Sequence, residues 1–412
     1  MTGSLGKNPY RPGVGTKPTV LAGRETEIKR FMSTLRGSPE IPANIRLTGL
    51  RGVGKTVLLA EFATRAQNED WAVGQLEVEP RHNSTVAISA TLIATCLKVE
   101  ERLSLAERVK SRLGKAVQSV ANVGVTYGDV RFSLDPALSP SGIELAGALE
   151  STVKAAVSQG KTGFAVLLDE AQVLKDETSA KGEHPLSLLL SAVSGVQKAG
   201  LPLGLVLCGL PTLTGNLLKA RTYSERMFRG EIIESLELEA ARRAFIEPVA
   251  GTDAQITAEL EGAVLGAVEG YPYFIQLWGA ELWDAASDVG ETVLTLDLLD
   301  AVEPEIYRRL DIDFYEPRIQ TLTPAEQDLL LSAAECPYPP LIVADLNAAS
   351  EKRPGNVNVL LGRLVEAGVI YRLRKAQYEF TAPKFFEFLQ RRKTPGPGRT
   401  LSPPAPDRLP LR

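Results

Sequence analysis

Eight residues constrain this chain more than any others: Gly49-Leu50-Arg51-Gly52-Val53-Gly54-Lys55-Thr56. The order is a glycine, four free positions, then Gly-Lys-Thr, the spacing of a phosphate-binding loop. Ahead of it, Ile45-Arg46-Leu47-Thr48 is short and partly β-branched, as a buried strand is; behind it, Thr56 to Gln67 carries Val57, Leu58 and Phe62 at helical spacing. Glycines between strand and helix let successive N–H groups turn inward around a phosphate, and the helix N-terminus adds partial positive charge. Gly49, Gly52, Val53, Gly54, Lys55 and Thr56 are therefore the expected nucleotide-binding residues. Lys55 is expected to reach the β- and γ-oxygens, and Thr56 to ligate magnesium.

A second signature follows. The apolar run Phe164-Ala165-Val166-Leu167-Leu168 leads directly into Asp169-Glu170-Ala171-Gln172. Strands apolar on both faces belong to parallel sheets covered on both sides, and open sheets of that kind bind ligands at the carboxyl ends of their strands. Asp169 is expected there to hold Mg2+ through water, and Glu170 to orient and polarise the attacking water. ATP and Mg2+ are the implied cofactors. Trp71 to Glu79 and Leu201 to Cys208 read as further strands, with helices over Ser84 to Leu113, Gly142 to Gln159 and Pro185 to Ala199. The strand ending at Cys208 runs into Gly209-Leu210-Pro211-Thr212, a place where a polar sensor is usual; neither Cys208 nor Gly209 is one. Residues 123–134 read as a hairpin that either touches a partner or covers a sheet edge.

Composition excludes several chemistries. Cys96, Cys208 and Cys336 are far apart and the two histidines are His82 and His184, which leaves neither a disulfide framework nor a zinc cluster and argues against histidine or cysteine catalysis. No apolar run reaches membrane-spanning length, and Met1 to Pro9 lacks the apolar centre of a signal peptide, so a cytoplasmic protein without a membrane partner is expected.

Together the loop, the Asp-Glu-Ala-Gln strand end, Gly23-Arg24-Glu25 and the Gly-Leu-Pro turn resemble the AAA+ ATPases, specifically the prokaryotic origin-recognition-like group with a C-terminal winged helix. The resemblance implies an α/β fold of the P-loop NTPase kind: a parallel sheet flanked by helices, a small helical lid and a winged helix. It divides the chain into an extended, unpacked N-terminal arm (1–20), an ATPase core (21–235), a lid (236–318), a winged-helix domain (319–393) and a disordered tail (394–412). It implies a Gly23-Arg24-Glu25 strap near the adenine side of the nucleotide. It also implies a homo-oligomer in which an arginine of Ser224-Glu225-Arg226-Met227-Phe228 acts in trans; Arg226 is the first choice, with Arg221 and Arg229 as rivals. One departure concerns the lid, where the family often offers an arginine from a Gly-x-x-Arg helix. Here Gly270-Tyr271-Pro272-Tyr273-Phe274-Ile275-Gln276 has none, and is similar to the Gly-x-Pro motif of STAND signalling NTPases, whose proline leans on the nucleotide. Either Pro272 or Tyr271 packs against adenine, or Tyr271, Tyr273, Phe274 and Trp278 form the lid's own core. A lid closing without an arginine implies slow, regulatory turnover.

From Thr321 onward, Pro324 to Ala334, Leu341 to Ala349 and Asn356 to Ala367 read as helices, and residues 369–373 and 377–381 pair around Arg374-Lys375-Ala376. Three helices and a β-ribbon make a winged helix. Between residues 352 and 393, ten cations stand against three carboxylates in a chain of net charge −4, so basic charge is concentrated here. The expected contacts to double-stranded DNA are Arg353, Asn356, Asn358 and Arg363 around the third helix, and Arg374 and Lys375 at the wing tip. A basic face used for protein docking is the competing reading. The expected function is an ATP-binding and ATP-hydrolysing switch acting at DNA, exchanging ATP for ADP; the alternative is a signalling or defence NTPase whose winged helix binds protein.

Overall fold

The computed structural model describes residues 5–13, 15–113, 142–179, 182–220, 224–350 and 352–393. The hairpin expected at 123–134, the rival Arg221 and the tail from 394 lie outside the described residues. Two compact units divide the chain, Met1–Tyr307 and Arg308–Arg412.

The first unit opens with α1 (Glu25–Arg36), β1 (Ala43–Gly49), α2 (Lys55–Asn68), β2 (Trp71–Glu77) and α3 (Thr85–Leu113). It continues with α4 (Gly142–Ser158), β3 (Gly163–Asp169), α5 (Pro185–Lys198), β4 (Leu203–Gly209), α6 (Thr212–Ala220), α7 (Ser224–Met227) and β5 (Arg229–Ile233). The five strands form one parallel sheet in the order β2-β3-β4-β1-β5. Every residue of β3 and β4 is buried, because helices cover both faces. On one face Phe164, Val166, Leu205 and Leu207 pack with Ile88 and Leu92 of α3, Leu149 and Val153 of α4 and Leu189 and Val193 of α5. On the other face lie α1 and α2, whose Phe31 and Phe62 rings stack with centroids 4.1 Å apart. Strand β5 has no counterpart in the sequence reading: Arg229-Gly230-Glu231 looks too polar for a strand. It holds an edge because Glu231 is buried between Arg30 (2.8 Å) and Arg229 (3.0 Å).

A helical cluster completes this unit: α8 (Leu238–Ile246), α9 (Ala258–Val268), α10 (Pro272–Val289) and α11 (Leu296–Arg309), with β6 (Gln255–Ile256) paired to β7 (Val293–Leu294). Its centre is aromatic; Phe274, Trp278 and Trp283 are fully buried. Among its described residues, 5–13 and 15–20, the Gly- and Pro-rich N-terminal arm has no helix or strand, but it is packed, against expectation. Asn8 Nδ2 donates to Ala280 O (3.1 Å) and Asp284 Oδ1 (2.8 Å), Arg11 N donates to Gln276 Oε1 (2.9 Å), and Trp283 Nε1 donates to Gly6 O (3.3 Å). The Tyr10 ring lies flush on α10 at Gly279, where an added Cβ would stand 2.4 Å from the ring. A glycine in α10 makes the seat for the arm.

The second unit contains a π-helical turn at Leu310–Tyr315, then α12 (Glu316–Gln320), α13 (Pro324–Ala333), β8 (Leu341–Ile342), α14 (Val343–Ala349), α15 (Pro354–Glu366), β9 (Ile370–Arg374), β10 (Gln377–Phe380) and α16 (Phe385–Lys393). The helix expected from Leu341 starts two residues later, because Leu341 and Ile342 pair antiparallel with Tyr378 and Gln377 and complete a sheet of order β8-β10-β9. Val357, Leu360, Leu361 and Leu364 face inward from α15, as their spacing predicts. Tyr315 stacks on Phe388 at 4.8 Å and donates its hydroxyl to Pro383 O at 2.9 Å.

Candidate functional site

Gly49 closes β1 where no side chain fits; an added Cβ would stand 2.2 Å from Ile233 O of β5. Gly52 and Gly54 then take φ of 85° and 87°, the left-handed region, and α2 begins at Lys55. This is the inward-turned loop at a helix N-terminus that the sequence calls for. Val53 and Lys55 are buried, and Lys55 Nζ donates to Leu50 O at 2.8 Å. Burial pushes the Lys55 ammonium below its ordinary pKa, while the carboxylates of Glu170 and Asp169 act in the opposite direction. Thr56, next in the helix, is exposed.

The acidic pair sits at the carboxyl end of β3. Asp169 is buried, and its Oδ1 accepts the Glu170 N–H at 2.8 Å. Glu170 takes φ of 51°, a conformation uncommon for a residue with a side chain, which turns the chain sharply out of the strand. Its Oε2 accepts from Gln172 Nε2 at 2.5 Å. Cys208, at the end of the neighbouring β4, is fully buried, and burial holds its thiol pKa well above the ordinary value, with the Asp169 carboxylate acting in the same direction. Cys208 therefore lines the site as a neutral group.

Arg24 of the strap is buried beneath the loop, donating from Nη2 to Val53 O (3.0 Å) and Glu234 O (2.6 Å), with Glu27 at 3.8 Å. One guanidinium thus ties the phosphate loop to the end of β5, a contact that joins residues far apart in sequence and leaves no local pattern to read. Pro272 stands over the loop; its Cγ is 4.0 Å from the point where a Cβ on Gly54 would be, and Tyr273 N donates to Gly52 O at 3.3 Å. Of the aromatic residues around it, Tyr271, Phe274 and Trp278 are buried, which fits core packing, whereas Pro272 is partly exposed. The arm closes one side, with Lys17 Nζ 2.9 Å from Glu61 Oε2 of α2 and Gly15 against the Thr56 methyl, 3.2 Å from an added Cβ.

A family model described as an AAA ATPase domain matches residues 20–206, the span from just ahead of α1 through most of β4. Residues 20–206 are thus similar to AAA ATPase domains. A second model, described as a domain of unknown function, matches residues 313–389. No curated protein matches the chain in sequence. Among solved structures, the Walker-type ATPase paby2304 of Pyrococcus abyssi is similar at TM-score 0.57 and 17% identity, over 92% of this chain and 98% of that one. The Aeropyrum pernix ORC2 protein, in its ADPNP and ADP complexes, is similar at TM-score 0.53 and 14% identity, over 91% and 94%. At those identities the likeness establishes the P-loop NTPase fold of this chain. No described helix is long and apolar enough to cross a membrane.

Arg226 is exposed at the end of the four-residue α7. In the second unit Arg353, Asn356, Asn358 and Arg363 are exposed around α15, and Arg374 and Lys375 are exposed at the β9–β10 turn. Part of this basic charge is neutralised within the unit. Lys352 pairs with Asp328 (3.3 Å), Arg391 with Asp311, Arg392 with Glu316 and Lys393 with Glu335, so four of the ten cations have carboxylate partners within their own unit.

Proposed function

We propose that the chain binds and hydrolyses ATP as a slow molecular switch whose second unit is a winged helix acting on double-stranded DNA. The hydrolytic part rests on one observation: Lys55, Asp169 and Glu170 come together at the mouth of a glycine loop that opens a helix. Gly49, Gly52, Val53 and Gly54 present backbone donors to the phosphates, and Lys55 stabilises charge on the β- and γ-oxygens. The donors available for a cation are hard oxygens, the Thr56 hydroxyl and the buried Asp169 carboxylate, with no group of three metal-ligating side chains among the described residues. That set fits Mg2+, which takes one or two protein oxygens together with phosphate and water. When bound it supplies charge neutralisation on the phosphates. Glu170 accepts the proton of the water whose oxygen bonds to the γ-phosphorus, while the bond to the bridging oxygen breaks and ADP leaves with that electron pair. Pro272 contacts the nucleotide from the helical cluster, which serves as the lid, and Arg226 serves a neighbouring copy in a homo-oligomer.

The DNA part rests on the exposed set Arg353, Asn356, Asn358, Arg363, Arg374 and Lys375, carried by a helix and a β-turn in the order of a winged helix. A second reading has an observation of its own: Val359 on α15 is 56% exposed and Leu373 on β9 is 50% exposed, apolar groups suited to protein docking in a STAND-like signalling NTPase. ATP turnover by the wild-type chain, lost together with nucleotide binding in Lys55→Ala, tests the hydrolytic part. Wild-type hydrolysis absent in the presence of Mg2+ would sink it. Salt-dependent binding of duplex DNA tests the second part, and no binding at low salt leaves the protein-docking reading in its place.

A further inference from the structure

At the end of β4, where a polar sensor is usual, the side chains are Cys208 and Gly209, yet the position is not without polar function. Gln172, from the short turn after β3, reaches across to it. Gln172 Oε1 accepts from Leu210 N at 3.0 Å, and its Nε2 donates to Glu170 Oε2 at 2.5 Å. The main-chain N–H of Leu210 is a donor only, so it fixes which end of the amide is which: the oxygen faces Leu210 and the NH2 faces Glu170. The glycine is part of the device. A Cβ on Gly209 would stand 2.3 Å from Gln172 Oε1 and 3.1 Å from its backbone N, so any larger residue expels the amide from this seat. Asn216 of α6 anchors the same turn from behind, donating Nδ2 to Gln172 O at 2.9 Å and Leu174 O at 3.2 Å.

We infer that Gln172 is a positioning residue for hydrolysis: it aims and holds the Glu170 carboxylate, and it couples that carboxylate to the Gly209–Leu210 turn in place of a side-chain sensor on β4. This role rests on Glu170 being the base. One carboxylate oxygen of Glu170 is occupied by the amide, which leaves Oε1 for the attacking water. A shift of the turn at Leu210 pulls the amide and, with it, the base.

The experiment is steady-state ATP hydrolysis from pH 5 to 9 with Mg2+, alongside fluorescent-nucleotide binding, for wild type, Gln172→Ala, Gln172→Glu, Gly209→Ala and Glu170→Gln. Gln172→Ala and Gly209→Ala are expected to lower kcat by about tenfold or more with KM and nucleotide binding within about twofold. Gln172→Glu is expected to move the acid limb of the kcat profile upward by about one pH unit, because a second carboxylate disfavours ionisation of the first and activity is then lost earlier as pH falls. A purely structural role would not move that limb. If Glu170→Gln abolishes turnover while the Gln172 and Gly209 variants keep both kcat and the acid limb, the positioning role is wrong and the base assignment stands. If Glu170→Gln hydrolyses ATP at the wild-type rate, the base assignment itself fails. Should Gln172→Ala not fold, Gly209→Ala breaks the same contact from the other strand and decides the matter.

Discussion

The phosphate loop and the basic face of the second unit both presented themselves as charged motifs, but the fold treats them differently. At the loop three polar side chains are held by neighbours: Arg24 grips Val53 and Glu234, Lys55 donates to Leu50 O, and Gln172 grips Glu170. In the second unit the charges split. Arg391, Arg392, Lys393 and Lys352 are tied to carboxylates of the same unit, while Arg353, Arg363, Arg374 and Lys375 stand exposed. A run of positive charge is therefore not a binding surface in itself. Only the cations left outside the unit's own ion pairs are available to a polyanion.

The contrast is broken most strongly at the first region. Glu170→Gln is expected to lower kcat by about a thousandfold while nucleotide affinity stays near wild type, measured by phosphate release against equilibrium binding. Unchanged turnover would remove the base from the site. Arg24→Ala strips two main-chain carbonyls of a buried charged donor, and a loss of about 2–3 kcal/mol in unfolding free energy is expected by denaturant titration, together with weaker nucleotide binding. A stability loss within experimental error would mean that Arg24 does not brace the loop.

In the second unit, exposed and paired arginines are expected to behave differently. Arg374→Ala is expected to weaken duplex DNA binding and reduce the salt dependence of log K by about one, whereas Arg391→Ala leaves that slope alone and lowers Tm instead. Equal effects on the slope would erase the distinction between tied and exposed cations. The smallest effect concerns Glu379, whose carboxyl burial, with a small contribution from Glu387, raises above the ordinary pKa despite the Phe380 N–H holding it down. A raised carboxyl pKa favours the folded state at low pH, and that contribution is lost as pH rises through the folded value. Glu379→Gln is accordingly expected to raise Tm at neutral pH and to leave it unchanged at acid pH; the opposite order would show that the carboxylate is stabilised in place.

What could be read from the sequence follows the reach of each interaction. The loop, the acidic strand end and the all-apolar β3 and β4 were legible because neighbours in sequence dictate them. Strand β5 was missed because its stability comes from Arg30 on α1 holding Glu231, and β8 because two residues are too few to show a period. The bracing contacts of Arg24 are not legible in the sequence, since nothing local says that its partners are Val53 and Glu234. Gln172 was quoted as part of a motif and given no role; the clue was Gly209, a residue without a side chain at a position where a polar one is usual. The ion pairs of Arg391 and Arg392 join α16 to residues many positions earlier, so counting charges along a window could not find them.

The packed arm has a mechanical consequence. It is fastened to the helical cluster at Arg11, through Gln276, and to the phosphate-loop helix at Lys17, through Glu61. The chain between these two fastenings has a contour length of about 20 Å. While both hold, α10 can move away from α2 no farther than that leash allows.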